Sequence, residues 1–370
     1  MSANRQKVAI AMSGGIDSSV AAALLKEQGY DVVGLTMHLW NFDSVGGNVH
    51  HETSCCSIDN IHDARHVCDQ IGIPHYTVDV RREFEQHVIG NFVSEYLSGR
   101  TPNPCVLCNS MMKWSVLMQK ADQLGFGLIS TGHYAQIIFD DKKQRFHLVK
   151  GIDLQKDQSY ALWALTQDQL ARTLLPLGIY TKPQVRELAE RFGLKTFQKS
   201  ESQEICFIPD NNYRRFIQER APEKIADLKN GEIVDTDGNV LGYHNGYPYF
   251  TIGQRRKLGV AVGRPIYVVD IDVQRNRIVV GDQDDLKRHT LFADRVNWVS
   301  IAQPEVPFEA IVRIRYNDKG KPASIKLISE NIVRVEFHEP VQAVTPGQSA
   351  VFFDDEQVLG GGIITSDHIA

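Results

Sequence analysis

No run of apolar residues in this 370-residue chain approaches the roughly 20 needed to cross a bilayer. Met1 to Lys7 reads as too polar and too short for a secretory signal, so the expectation is a cytoplasmic protein with no membrane role. Charge of one sign is also in short supply. The net value is only −5, so no global excess announces a nucleic-acid partner, and binding to one would need a local basic patch. Arg255-Arg256-Lys257, and Arg313 and Arg315 followed by Lys319 and Lys321, are the candidates. Charge alone favours a solvated face for each. Six cysteines are too few to build a disulfide scaffold at this length, which leaves metal binding, catalysis or core packing. There is no internal repeat and no low-complexity tract. What remains is ordinary for a globular protein, 42% hydrophobic and 23% charged, with length for two or three domains. Nothing sets the oligomeric state, and a monomer is expected.

The most specific local signal is likewise marked by something missing. Lys7 to Ile10 read as a buried strand, Ser13-Gly14-Gly15-Ile16-Asp17-Ser18 as a tight turn, and Ser18 to Gln28 as a helix closed by Gly29. Glycines let backbone N–H groups approach a phosphate, and the helix start adds a positive dipole end. Ser13 and Ser18 can donate hydroxyl hydrogen bonds, and Asp17 can help hold Mg²⁺. No lysine follows the glycines, which excludes the GxxxxGK[ST] loop. A bare Ser-Gly-Gly would be only a strand–helix turn. The full hexapeptide resembles the PP-loop of ATP pyrophosphatases, which implies adenylation with release of pyrophosphate rather than γ-phosphate transfer.

Strand and helix alternate along the first two hundred residues. Further strands are expected at Asp31 to Leu39, Pro74 to Val80 and Leu128 to Thr131. Helices are expected at Ser57 to Ile71, Arg82 to Leu97 and Asn109 to Leu124. This βαβ pattern argues for a parallel sheet covered on both faces, with ligands at the carboxyl ends of its strands. After a short helix at Tyr213 to Glu219, turn signals multiply. Short strands then follow at Arg277 to Val280, Ala310 to Arg315, Ser324 to Ile328, Ile332 to Phe337, Ser349 to Phe353 and Val358 to Ile364, as in a small barrel. The expected architecture is therefore α/β. A parallel-sheet PP-loop domain of the adenine nucleotide alpha hydrolase type spans 1–209, a small central tRNA-binding or linker domain 210–270, and a β-barrel 271–370. Asn41 to Thr53, with His50-His51, reads as a mobile loop beside the nucleotide site.

Cys105 and Cys108 form a CxxC in a loop stiffened by Pro102 and Pro104, with Cys108 expected just before a helix, where its thiolate would be favoured. A zinc knuckle would need a second such pair, and none exists. A thioredoxin-type redox pair would sit at a strand–helix turn of a smaller fold. The third reading is a reactive pair acting with a distant cysteine such as Cys206. Cys55 and Cys56 are weaker candidates for ligands, and Cys68 lies on an apolar helix stripe and reads as core.

Taken together, the SGGIDS loop, Gly99 to Asn109, Thr131 to Tyr134, Lys156 to Tyr160, Ile205 to Ile208, Gly253 to Arg256, Val344 to Ala350 and Leu359 to Gly362 resemble the tRNA-specific 2-thiouridylases over nearly the whole length. The resemblance implies ATP-dependent replacement of oxygen by sulfur at C2 of the wobble uridine, position 34 of tRNA. That carbonyl oxygen is a poor leaving group until ATP converts it to an adenylate, after which a protein persulfide can supply sulfur. It implies that Cys206 carries the persulfide and Cys108 is the partner thiol, leaving a Cys108–Cys206 disulfide. Ala11, Met12, Ser13, Gly14, Gly15, Ile16, Asp17, Ser18, Met37 and Gly132 would line the ATP site. Asn103, Pro104 and Cys105 would face the target base with His133 nearby. Lys156, Asp157, Gln158, Arg315, Tyr316 and Gln348 would contact tRNA. The base would have to leave the anticodon stack to be reached. A cysteine desulfurase or a sulfur-relay protein would be the donor.

Two departures from the family pattern stand out. Many members carry Asp where this chain has Cys105, and Ser-Thr-Gly where it has Ser202-Gln203-Glu204. With Cys105, three thiolates could converge and hold a [4Fe–4S] cluster with one iron open, a rival to the persulfide route. Two other classes of function also fit parts of the chain: a PP-loop synthetase adenylating a small molecule, and a non-catalytic Fe–S sensor that binds RNA.

Overall fold

The computed structural model describes residues 5–41, 58–194 and 205–366. Cys55, Cys56, His50-His51 with most of the expected mobile loop, and Ser202-Gln203-Glu204 lie outside them. The strands of the first part are β1 (Lys7–Ala11), β2 (Asp31–His38), β3 (His75–Asp79), β4 (Leu128–Ser130), β5 (Ala135–Asp140), β6 (Arg145–Lys150) and β7 (Thr173–Leu174). Five of these make a parallel sheet in the order β3-β2-β1-β4-β7. Alternate residues of β1 face opposite sides, Val8 and Ile10 into one apolar core and Ala9 into another. The chain builds outward from β1 in one direction and then returns to add β4 and β7 on the other side. The carboxyl ends of β1 and β4 therefore flank the point where strand order reverses, the usual place for a ligand crevice.

Helices α1 (Ile16–Glu27) and α2 (Ile58–Ile71) pack on one face with the later helix of Lys182–Arg191. Cys68 of α2 is fully buried there, and burial followed by the charge of Asp69 pushes its thiol up to about 12, so it is the inert core residue expected. Arg81–Phe84, Glu85–Ile89 and Gly90–Leu97 run on as one helix, α3, and Pro104–Leu107, Cys108–Leu117 and Met118–Gln123 as another, α4. The middle of each is wound in wider π turns, a geometry enriched at functional sites. Helix α4 starts earlier than expected. Asn103 caps it, accepting from the Val106 N–H at 3.4 Å, and Pro104, which has no N–H to leave unpaired, opens its first turn. Both cysteines of the CxxC thus lie inside the helix, and Cys108 does not precede it. Helices α5 (Gln167–Ala171) and α6 (Lys182–Arg191) complete this part.

After α7 (Tyr213–Arg220) and α8 (Pro222–Asp227), four strands form a small sheet: β8 (Gly231–Val234), β9 (Val240–His244), β10 (Tyr267–Asp272) and β11 (Arg277–Gly281). The last six strands are β12 (Lys287–Asn297), β13 (Phe308–Arg313), β14 (Lys321–Ser329), β15 (Ile332–Gln342), β16 (Ser349–Asp354) and β17 (Gln357–Ile364). They pair antiparallel in the order β12-β15-β14-β13-β16-β17, and β12 pairs back onto β17, closing a barrel around Leu291, Val312, Ile325, Val335 and Phe352.

One feature was not anticipated. The β5–β6 hairpin leaves the first part of the chain and joins the barrel sheet through β6 and β17. The Leu148 N–H donates to Ser300 Oγ at 2.9 Å, and Arg145 donates to the Trp298 carbonyl at 2.6 Å. A single apolar core results, with Ala9, Leu35 and Ile129 of the parallel sheet, Trp114 of α4, Leu148 of the hairpin, and Val351, Phe353 and Val358 of the barrel. Phe353 is almost fully buried in that core. Phe353→Ala is expected to lower the unfolding free energy by about 3–5 kcal/mol. Urea denaturation followed by fluorescence and by circular dichroism should show both midpoints falling together, because one core serves both sheets.

Candidate active site

The turn after β1 forms from its own residues. Gly14 has φ +71°, and a Cβ there would stand 2.4 Å from the Asn60 carbonyl oxygen, so only glycine fits. The Ser13 N–H donates to Ser18 Oγ at 3.2 Å, and the Ser18 and Ser19 hydroxyls donate back to the Gly15 carbonyl at 3.2 and 2.8 Å. Gly15 is the N-cap of α1 and brings no side-chain acceptor to its first turn. The N–H groups at the start of α1 are thus presented as an anion-binding end. Ala11 and Met12 lead into the turn, with Met12 bonded to β2 through its N–H to the Leu35 carbonyl at 2.8 Å. Ile16 is buried beneath the turn, and Met37 packs on two apolar cores at once.

The end of β4 closes on this loop. A Cβ at Gly132 would lie 2.8 Å from the backbone of both Asp17 and Ser18, so even alanine would push the end of β4 away from the start of α1. The next residue but one reaches further, as the Tyr134 hydroxyl donates to Asp17 Oδ1 at 2.7 Å. Lys182, at the start of α6, puts its ammonium on both oxygens of the same carboxylate, at 2.7 and 2.9 Å. Its side chain is 8% exposed and that of Asp17 34%. Neither Lys182 nor Tyr134 stands out in the sequence as a site residue. The helix start is legible from the Thr181 and Gln184 capping box, but not the direction in which Lys182 points.

His133 is buried beside Gly132. Thr131 Oγ1 lies 2.6 Å from its Nδ1, and Lys113 Nζ lies 3.4 Å from its Nε2 while donating to Asn109 Oδ1 at 2.8 Å. Burial first, and the Lys113 charge second, hold His133 well below the usual histidine range, so the ring is neutral at physiological pH. Lys113 is a second cation of the site, carried by α4 itself, and its ammonium links that helix to the Gly132-His133 turn.

The three cysteines differ in their surroundings. Cys108 and Cys206, from distant parts of the chain, both pack half-buried on one apolar cluster with Met112, Phe207, Leu39 and Trp40, and Met37 joins it from the end of β2. Cys105 is exposed and lies near Tyr316. Among the described residues no three His, Cys, Asp or Glu side chains stand together where they could share a metal ion. The three cysteines expected to hold a [4Fe–4S] cluster are not gathered into such a group here. Cys105 and Cys108 differ in environment, one towards solvent and the barrel, the other in the apolar cluster. A cleft of about 570 Å³ opens at the carboxyl ends of β2 and β3, lined by Leu39, Trp40, Asp79 and Arg81 among others. There Arg81 bonds Asp79 through two nitrogens and pulls its carboxyl down to about 2.

The segment Asn103-Pro104-Cys105 is braced from the other two parts of the chain. Gln348 donates to the Thr101 and Pro102 carbonyls, both at 3.0 Å, the Thr101 N–H bonds the Pro346 carbonyl, and Thr101 Oγ1 donates to Thr251. Asp157 is buried. Its carboxylate accepts from the Ser159 N–H and hydroxyl, both at 3.0 Å, and lies 3.6 Å from Arg313. The Tyr316 hydroxyl donates to the Asp157 carbonyl, and Gln158 exchanges bonds with both backbone groups of Tyr134. Asp157, Gln158 and Gln348 thus form internal braces, while Lys156 is half-buried and Arg315 and Tyr316 are exposed at the surface.

Three family models match this chain: the tRNA methyl transferase HUP domain over residues 6–210, the tRNA methyl transferase PRC-barrel domain over 214–282 and the aminomethyltransferase beta-barrel domain over 288–364. The tRNA-specific 2-thiouridylase MnmA of Salinibacter ruber is 50% identical over 359 residues, 97% of this chain and 94% of that protein. That of Carboxydothermus hydrogenoformans is 50% identical over 362 residues, 97% of this chain and 98% of that one. Among solved structures, a 4-thiouridine synthetase in complex with RNA and ATP aligns at TM-score 0.36 and 15% identity, covering 59% of this chain and 51% of that one.

The buried neutral His133 makes stability depend on pH. Its folded pKa lies below its unfolded value of 6.5, so the contribution is present above about pH 6.5 and is lost as pH falls through it, when the unfolded chain takes up the proton. Urea midpoints are expected to drop between pH 7.5 and pH 5.5, and to drop less in His133→Gln.

Proposed function

The chain belongs to the tRNA-specific 2-thiouridylase family, and on that footing we propose how this tRNA sulfurtransferase divides its chemistry between two adjoining places. The uridine O2 attacks the α-phosphorus of ATP, the α–β bond breaks, and pyrophosphate leaves. A sulfur nucleophile then adds at C2 and AMP departs with the original oxygen. Ser13 to Ser18, with Met37 and Gly132, hold the nucleotide. Asp17 suits the single carboxylate that a Mg²⁺–phosphate site takes from a protein, being one-third exposed with lone pairs beyond those engaged by Lys182 and Tyr134. The ion would neutralise phosphate charge when bound.

The observation that carries the sulfur step is the packing of Cys108 and Cys206 in one cluster that Met37 links to the nucleotide side. A donor, a cysteine desulfurase or a relay protein, loads the outer sulfur onto Cys206. The Cys108 thiolate attacks Cys206 Sγ, forming the Cys108–Cys206 disulfide and releasing hydrosulfide for the attack on C2. The two electrons that reduce the sulfane sulfur come from the two thiols, and a thiol reductant must restore them after each turnover. This route needs two cysteines and no iron–sulfur cluster, in keeping with three thiols that are not gathered into one ligand group.

Asn103, Pro104 and Cys105 face the flipped base, with neutral His133 and the Lys113 ammonium behind them. Lys156, Arg315 and Tyr316 present the exposed contacts for the tRNA backbone, and Asp157, Gln158 and Gln348 act by holding those segments in place. The internal hydrogen bonding of the last three supports that division.

Unmodified tRNA incubated with ATP, Mg²⁺ and a persulfide-loaded donor, then read at position 34 by mass spectrometry, tests this assignment. Cys108→Ser and Cys206→Ser are expected to abolish 2-thiouridine while Cys105→Ser retains most of it. Pyrophosphate should appear only when tRNA is present. A Cys105→Ser variant as inactive as Cys206→Ser would sink the two-cysteine assignment.

A further inference from the structure

Lys182 is in an electrostatically awkward place. It opens α6, where the helix dipole favours acidic residues, and its ammonium reaches the start of α1, a second positive helix end. It is also buried, and removing an ammonium from water is costly unless its partners are good. Its partners include the Asp17 carboxylate, itself one-third exposed, and the face of Tyr134, whose ring centroid lies 5.7 Å away. The local backbone does not require the charge. The N–H of Lys182 is bonded to Asp153 Oδ2 at 2.9 Å, and the helix has its own Thr181 and Gln184 capping box. A purely structural pair of this kind could be replaced by apolar residues without loss. An unfavourable cation between two helix ends, beside the glycine turn, makes sense where polyanionic phosphate enters.

We infer that Lys182 is the phosphate-binding cation of this site, supplied from a distant helix in place of the lysine that the SGGIDS loop lacks. It binds the β- and γ-phosphates of ATP and then the departing pyrophosphate, while Asp17 and Tyr134 hold its ammonium at the loop. The inference rests on the nucleotide reading of the loop and adds a ligand subsite to it.

Calorimetric titration of the whole protein with ATP, pyrophosphate and AMP, each with Mg²⁺, tests it. Lys182→Gln is expected to weaken ATP and pyrophosphate by more than about tenfold, the worth of a charge-assisted phosphate contact, and to leave AMP unchanged. Equal losses for ATP and AMP, or no loss, would overturn the inference and leave the nucleotide reading standing. A wild type that binds no ATP would overturn both. Should Lys182→Gln fail to fold, the wild type decides. With ¹⁵N-labelled lysine, the Nζ signal absent from Lys182→Arg should shift with pyrophosphate and not with AMP, and an unmoved signal overturns the assignment.

Discussion

Everything at this site depends on the apolar core that the parallel sheet shares with the barrel. Phe353, Val351 and Val358 of the barrel pack with Leu148, Trp163 and Trp114, and through them with Leu35 and Ile129 of the sheet. A separately folded barrel on a linker could not hold Gln348 within 3.0 Å of two carbonyls before Asn103, or Tyr316 on the Asp157 carbonyl. The contacts that shape the segment around Asn103 are polar and short-ranged. They persist only because burial of large apolar side chains has already fixed the two sheets relative to each other.

On that frame, polar groups run continuously from the phosphate loop to the barrel. Asp17 bonds Tyr134, Tyr134 exchanges backbone bonds with Gln158, and the neighbouring Asp157 meets Tyr316 and Arg313. The buried Asp157 is fully engaged, as low dielectric surroundings demand, while Arg313 leaves its Nε without a hydrogen-bond partner. The same surroundings set protonation. His133 stays neutral because burial and Lys113 both oppose its charge, and burial pushes the Tyr316 phenol up.

Much of the site was legible in the sequence. The glycine turn between a buried strand and a helix pointed to a phosphate site, and β1 and α1 appear there with only their ends adjusted. Five strands of the closed barrel follow from short alternating runs separated by turns, but the expected strand Arg277 to Val280 pairs in the four-stranded sheet instead, and β12 takes the sixth place. The start of α4 was misplaced although its signals, Asn103 then Pro104, stood in plain view, because the two cysteines drew the helix start to their far side. The β5–β6 hairpin escaped for another reason. Its strands alternate ordinarily, but which sheet they extend depends on β17, some two hundred residues later. Lys113 and Lys182 escaped because a lysine on a helix usually faces water, and only their neighbours reveal the inward turn.

The sequence by itself determined most of the elements, the glycine turn and the family, since these rest on local spacing: glycines where backbone must approach closely, period-two strands, capped helices. The family resemblance already implied Cys108 with Cys206, but the surroundings of each thiol were decided only by tertiary structure. Spacing grouped Cys105 with Cys108. The fold instead places Cys108 with Cys206 in one apolar cluster and leaves Cys105 exposed near Tyr316. The physical reason is that Cys105 lies in the first turn of α4, at its exposed end, while Cys108 lies one turn further on, against the apolar cluster. A thiol's role depends on what packs against it, and packing is set by apolar burial between distant segments.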